Sequence, residues 1–217
     1  MKYTHCFFDL DGTLVNSAPG ITSSVQYALQ KCGIEPPPAE ELLGFIGPSL
    51  MYGFSHFYNM NEEESRRAVN FYREIYTAGG MFKCEPYGGI RALLDALREK
   101  GIVCVLATGK PHIYANQILK HWKLDDYFSF VSGPELDGTR DPKHEVIAYA
   151  MEHLHLTDVS KILMIGDRDN DVLGAKHHGM DCAGVLWGFG TREELLGAGA
   201  IAVYDSPKAL QNAILGE

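Results

Sequence analysis

Six short apolar runs punctuate the chain, at residues 4–8, 102–107, 128–131, 161–165, 182–186 and 200–203. Several are apolar almost throughout, the pattern expected of strands covered on both faces. Helical spacing fills the intervals. Ile90, Leu93, Leu94 and Leu97 form one stripe, closed by Gly101, and Val146, Ile147, Ala150 and Leu154 form another. Asp141 reads as the cap of that second helix and Pro142 as its first residue. From residue 102 onward strand and helix alternate, which predicts an α/β fold, a doubly wound parallel sheet with right-handed crossovers. Residues 16–81 break the rhythm. Ile21, Val25, Ala28, Leu29 and Cys32 recur at helical spacing, three prolines interrupt at 36–38, and Asn61 precedes Glu62, Glu63 and Glu64 as a helix start. The expected layout is therefore a core of 1–15 and 82–217 with an all-helical insert at 16–81.

Composition narrows the classes without choosing among them. At 46% hydrophobic and 22% charged the chain is an ordinary globular sequence, which excludes disordered and collagen-like architectures. Its 19 basic against 28 acidic residues leave a formal charge of −9. That charge disfavours nucleic-acid polymers and anionic membranes as partners, while leaving room for a local anion site. The apolar runs fall far short of a membrane span, and no secretory signal is apparent. Five scattered cysteines, an odd number with no CxxC pair, read as reduced thiols of a cytoplasmic protein.

The chemistry concentrates where predicted strands end. Asp9 and Asp11 stand two apart after the first run, so an extended backbone turns both toward one side, at the edge where open α/β sheets bind ligands. Thr108-Gly109-Lys110 follows the second run, Lys143 heads a helix, and Gly166-Asp167-Arg168-Asp169-Asn170-Asp171 follows the fourth. Acids gathered in one site repel one another and need a cation. An all-oxygen acidic cluster suits Mg²⁺, with Thr108, Lys143 and neighbouring backbone N–H groups left to hold an anion.

These four segments, in this order, resemble the haloacid dehalogenase (HAD) superfamily of phosphotransferases: DxDGT at 9–13, the Ser/Thr motif at Thr108, the motif lysine at Lys143, and GDxxxD at Asp167 and Asp171. The helical insert after the first motif is similar to that family's C1 cap. The stretches 41–48, 107–111 and 133–140 look most like its phosphoglycolate-phosphatase and bacterial 5′-nucleotidase branch. The resemblance implies a Rossmann-like core and an Mg²⁺-dependent phosphomonoesterase for a small phosphate ester. It makes Asp9 the nucleophile that forms an aspartyl-phosphate and Asp11 the acid and base. It assigns the metal to Asp9, the Asp11 carbonyl and Asp167, with Asp171 either a ligand or a partner that orients the ligands, and the phosphoryl oxygens to Thr108, Gly109 and Lys143, whose charge also offsets that of Asp9. Asp169 is expected to be a helix N-terminal acid rather than a ligand. Substrate choice would fall to the insert, with Phe45 stacking on the substrate and Gly47 permitting close approach. Assembly is left as monomer or homodimer.

Two rivals stay open. A sugar-phosphate mutase of the β-phosphoglucomutase type would use the same intermediate, and a signalling receiver would also carry an acidic pocket with Asp, Thr and Lys. Receivers lack an acid at the position of Asp11 and a helical insert. Among decoys, Glu135-Leu136-Asp137-Gly138-Thr139 imitates the first motif with Glu in the nucleophile's place. Gly188-Phe189-Gly190 lacks the third glycine of a dinucleotide loop and reads as a turn over the sheet edge. Tyr72 and Tyr76 read as core. Arg73 and Lys110 are cations that either meet the far end of a substrate or sit in salt bridges.

Overall fold

The computed structural model describes residues 2–216 and divides them into two compact units, one of residues up to Val15 with Pro86 onward, the other Asn16–Glu85. The chain crosses between the units through two short strands, β2 (Val15–Asn16) and β3 (Glu85–Pro86), which pair as a two-stranded sheet.

The first unit is built on six parallel strands: β1 (His5–Phe8), β4 (Val103–Ala107), β5 (Phe128–Ser132), β6 (Ile162–Gly166), β7 (Asp181–Val185) and β8 (Ala202–Tyr204). Their order across the sheet is β5-β4-β1-β6-β7-β8. All six expected strands are present, within two residues of their predicted ends. The chain leaves β1 toward β4 and β5, then returns to add β6, β7 and β8 on the other side, so the winding reverses at β1 and β6. Open sheets of this kind bind ligands where the winding reverses. Phe7, Val105 and Met164 are completely buried in the centre of the sheet, which is why these runs carry no polar alternation.

Helices α4 (Ile90–Glu99), α5 (His112–His121), α6 (Lys143–His153), α7 (Asp169–His177), α8 (Arg192–Ala198) and α9 (Pro207–Leu215) complete this unit. The Ile90, Leu93, Leu94 and Leu97 stripe is wholly buried, as its spacing predicts. The start of α6 differs from expectation by one residue. Pro142, with an extended ψ of 134°, is itself the N-cap and the helix opens at Lys143 rather than at the proline.

The second unit contains α1 (Ala18–Lys31), a 3-10 turn at Ala39–Phe45, α2 (Leu50–Tyr58), α3 (Glu62–Thr77) and a 3-10 turn at Gly80–Phe82. Asn61 and Glu64 form the reciprocal cap that opens α3: the Asn61 side chain accepts from the Glu64 N–H at 3.0 Å, and the Glu64 carboxylate accepts from the Asn61 N–H at 2.9 Å. This unit runs to Glu85 rather than 81, because the Gly80–Phe82 turn packs on α1 and α3. Close approach there depends on glycine, since a Cβ on Gly20 would lie 2.3 Å from the Gly80 carbonyl oxygen. No helix among the described residues is long and apolar enough to cross a membrane.

Candidate active site

Register places the site. Phe8 is level with Leu106 on one side and Ile165 on the other, so the residues that follow these strands, Asp9, Thr108 and Asp167, emerge along one sheet edge. After Asp9 the chain turns tightly. The Leu10 carbonyl accepts hydrogen bonds from the N–H groups of Thr13, Leu14 and Val15, and Gly12 has φ 85°. A side chain at Gly12 would place its Cβ 2.1 Å from an Asp167 carboxylate oxygen, so this position carries glycine for space as well as for backbone angle.

Asp9, Asp167 and Asp171 are buried, and one carboxylate oxygen from each lies within 4.8 Å of the others. Asp167 is fixed by two donors: the Thr13 hydroxyl to Oδ1 at 3.2 Å and the Phe189 N–H to Oδ2 at 2.8 Å. Burial first, and then the charges of Asp171 and Asp9, push its carboxyl well above the usual range. Burial likewise raises Asp171 to about 6, with Lys143 pulling it down and Asp9 raising it. A set of buried carboxylates held near one another at the cost of raised pKa values fits an oxygen-coordinated divalent cation such as Mg²⁺. Asp169 stays outside, exposed in the first turn of α7, as expected.

Lys143 lies at the centre of the cluster. Its ammonium donates to Asp9 Oδ1 at 2.8 Å and to the Ala107 carbonyl at 3.1 Å, and pairs with Asp171 Oδ1 at 2.7 Å. Burial alone would lower its pKa, but Asp171 and Asp9 overcome this and raise it, so the group is a permanent cation. Two hydrogen bonds and an ion pair engage the ammonium within the protein, so its first task is to hold Asp9 and Asp171 in place. The stem is held too, since a Cβ on Gly174 would meet Lys143 Cγ at 2.6 Å.

Thr108 is buried, its N–H donating to the Ser132 carbonyl at 3.0 Å and its hydroxyl accepting from the Lys110 N–H at 3.2 Å. Gly109 is half-buried beside it. Asp11 is buried and pairs through Oδ2 with Lys110 at 2.9 Å. Lys110 is thus the salt-bridged cation of the two expected alternatives.

The loop Trp187–Gly190 contributes more to the site than a turn over the sheet edge would. The Trp187 indole N–H donates to the Thr13 carbonyl at 2.9 Å, and a Cβ on Gly190 would lie 1.9 Å from the Asp167 carbonyl oxygen. The Gly-x-Gly pattern is the signal for this in the sequence: it marks backbone pressed against backbone, here against the metal-type acid.

Phe45 is a correction. Its ring is 3% exposed and sits among Phe54, Phe57 and Tyr58, with centroids 5.1, 5.3 and 6.1 Å away. A ring already enclosed by three aromatics, with Gly53 against its face, is a packing residue and not a platform for a substrate. Phe45→Ala is accordingly expected to cost about 3–5 kcal/mol of stability, read as a fall in the melting temperature, instead of reordering substrates. Gly47, at φ 109°, lies in the turn that follows.

The fold and the acid cluster are of a kind that suits phosphoryl transfer, and comparison with known proteins gives the family. Residues 6–185 match the family model of haloacid dehalogenase-like hydrolases, and the chain belongs to that family. It is 42% identical to the 5′-nucleotidase of Pseudomonas aeruginosa over 90% of this chain and 88% of that protein. It is 30% identical to the phosphoglycolate phosphatase of Neisseria gonorrhoeae over 84% and 80% respectively. A relative with a different name is the tyrosine-protein kinase PtkA of Mycobacterium tuberculosis, 36% identical over 84% of this chain and 62% of that protein. Among solved structures, a predicted phosphatase from Clostridium acetobutylicum superposes with a TM-score of 0.96 at 43% identity, covering 100% of both chains. The chain is an enzyme of the hydrolase type, similar in sequence and fold to the phosphatases of this family.

Proposed function

We propose that the chain is an Mg²⁺-dependent phosphomonoesterase that releases phosphate from a small soluble ester through an aspartyl-phosphate at Asp9. The observation that carries the reading is the Asp9 carboxylate itself: one oxygen held by Lys143, buried beside Asp167 and Asp171, with Asp11 two residues further on.

In the first step an Asp9 oxygen attacks phosphorus, a bond forms between them, and the bond from phosphorus to the leaving oxygen breaks while Asp11 gives that oxygen a proton. In the second step Asp11 takes a proton from a water that attacks the same phosphorus, which frees Asp9 and inorganic phosphate. Thr108 and the Gly109 backbone bind the phosphoryl oxygens, and the Lys143 cation offsets the charge on Asp9. Asp9, the Asp11 carbonyl, Asp167 and Asp171 would hold Mg²⁺. When bound, that ion supplies positive charge against the phosphoryl oxygens in the transition state.

Nucleoside 5′-monophosphates come first as substrates and phosphoglycolate second, following the relatives' names and degrees of identity. The groups that bind phosphate are common to every ester, so discrimination between leaving groups is assigned to the insert, including the Gly47 turn. The test is a screen of nucleoside 5′-monophosphates, phosphoglycolate and hexose phosphates with Mg²⁺, following released phosphate. Isomerised hexose phosphate without phosphate release would establish a mutase. A stable phosphoprotein without turnover would establish a receiver, and phosphate transferred to a tyrosine peptide would follow PtkA's name instead.

A further inference from the structure

We propose that Lys110 is a positioning residue for Asp11, clamping one carboxylate oxygen so that the other alone serves the proton transfers of the reaction; this rests on the roles of Asp9 and Asp11 given above. The ammonium lies 2.9 Å from Asp11 Oδ2, with the two side chains 6% and 10% exposed. Asp11 Oδ1 is buried and has no hydrogen-bond partner in the protein. The carboxylate is thus held by Lys110 at one oxygen and unpartnered at the other.

Both backbones that carry the pair are fixed. Asp11 belongs to the turn whose N–H groups converge on the Leu10 carbonyl. Lys110 follows Thr108 in a turn pressed onto the end of β5: a Cβ on Gly133 would lie 2.4 Å from the Lys110 carbonyl oxygen, and the His112 N–H donates to the Pro134 carbonyl at 3.1 Å. A charge pair this deeply buried is a poor source of stability, because desolvation consumes most of the attraction. Its value is geometric. Lys143 lies against Asp9, Asp171 and the Ala107 carbonyl, so the two lysines divide the labour between nucleophile and acid.

The consequence is selective. Departure of an alkoxide needs the proton from Asp11, whereas departure of a nitrophenolate does not, but hydrolysis of the intermediate needs Asp11 as base with either ester. Lys110→Met and Lys110→Gln are therefore expected to lower kcat/KM about 100-fold for an alkyl phosphate and less than about threefold for p-nitrophenyl phosphate. With the aryl ester, kcat should also fall and a burst of nitrophenolate should precede the steady state. Lys110→Arg, which keeps the cation, should recover most of the alkyl activity. An equal fall in kcat/KM for both esters in the folded variants would make Lys110 structural or phosphate-binding and overturn the proposal. A raised KM with kcat intact would make it a substrate contact and overturn the proposal as well. Failure of the underlying reading has a different signature: wild-type enzyme that forms no acyl phosphate at Asp9.

Discussion

Asp9→Asn leaves a folded protein with less than about a thousandth of wild-type kcat, a loss of more than roughly 4 kcal/mol of transition-state stabilisation. The amide matches the carboxylate in size, so Thr108, Asp167 and the turn at residues 9–15 keep their places. What disappears is the charge and lone pair that attack phosphorus, and no other group in the site substitutes for them. Lys143 retains Asp171 and the Ala107 carbonyl as partners, so the melting temperature is expected to change little. The complementary measurement is made on the wild type: borohydride quenching during turnover should convert an acyl phosphate at Asp9 to the alcohol, detected by mass at that residue. A variant retaining more than a tenth of wild-type turnover, or a quench that marks no carboxylate, removes covalent catalysis from Asp9.

Much of this site is legible in the sequence because parallel strands end together. Once apolar runs are followed by acids or by Thr-Gly-Lys, the sheet brings those ends to one edge whatever the helices do, and Asp9, Thr108 and Asp167 need only that rule. Asp171 is separable from Asp169 through the GDxxxD spacing that carries the family resemblance; in the fold Asp171 is buried in the first turn of α7 and Asp169 is exposed. Phe45 is misread on different grounds. A Gly-Phe-Ile-Gly segment has the same composition whether its ring faces solvent or three other aromatics, and residues 54, 57 and 58 that enclose it are distant enough in sequence that spacing alone does not bring them together. Lys110 stays ambiguous in sequence for a similar reason, since pairing with Asp11 depends on β4 lying beside β1, a fact of topology and not of local pattern. The boundary falls at Glu85 because the turn at Gly80 packs by backbone, which hydrophobic periodicity does not register.

Chelation is expected to abolish turnover, and the metal-free protein should show why through its stability. Folded Asp167 and Asp171 keep protons that the unfolded chain gives up near the ordinary Asp value of 3.8, Asp171 until about 6, while burial and its acidic neighbours also hold Asp167 well above the ordinary value. Between those limits the folded state binds more protons than the unfolded one, so stability falls as pH rises, at up to about 1.4 kcal/mol per pH unit for each such group. The melting temperature of the chelated protein should accordingly decline between about pH 4 and pH 6, more steeply than that of Asp171→Asn, in which one of the two groups no longer titrates. Mg²⁺ reverses the sign of the effect. Binding requires ionised ligands, so it releases protons, its affinity grows with pH over the same window, and at a hundredfold excess over Kd it stabilises the fold by about 2.7 kcal/mol. The checks are melting curves with and without Mg²⁺ across that range, and proton release on adding the ion to weakly buffered protein. A chelated protein whose stability climbs through the window, or an ion that binds without releasing protons, would mean that the buried acids do not form the metal site.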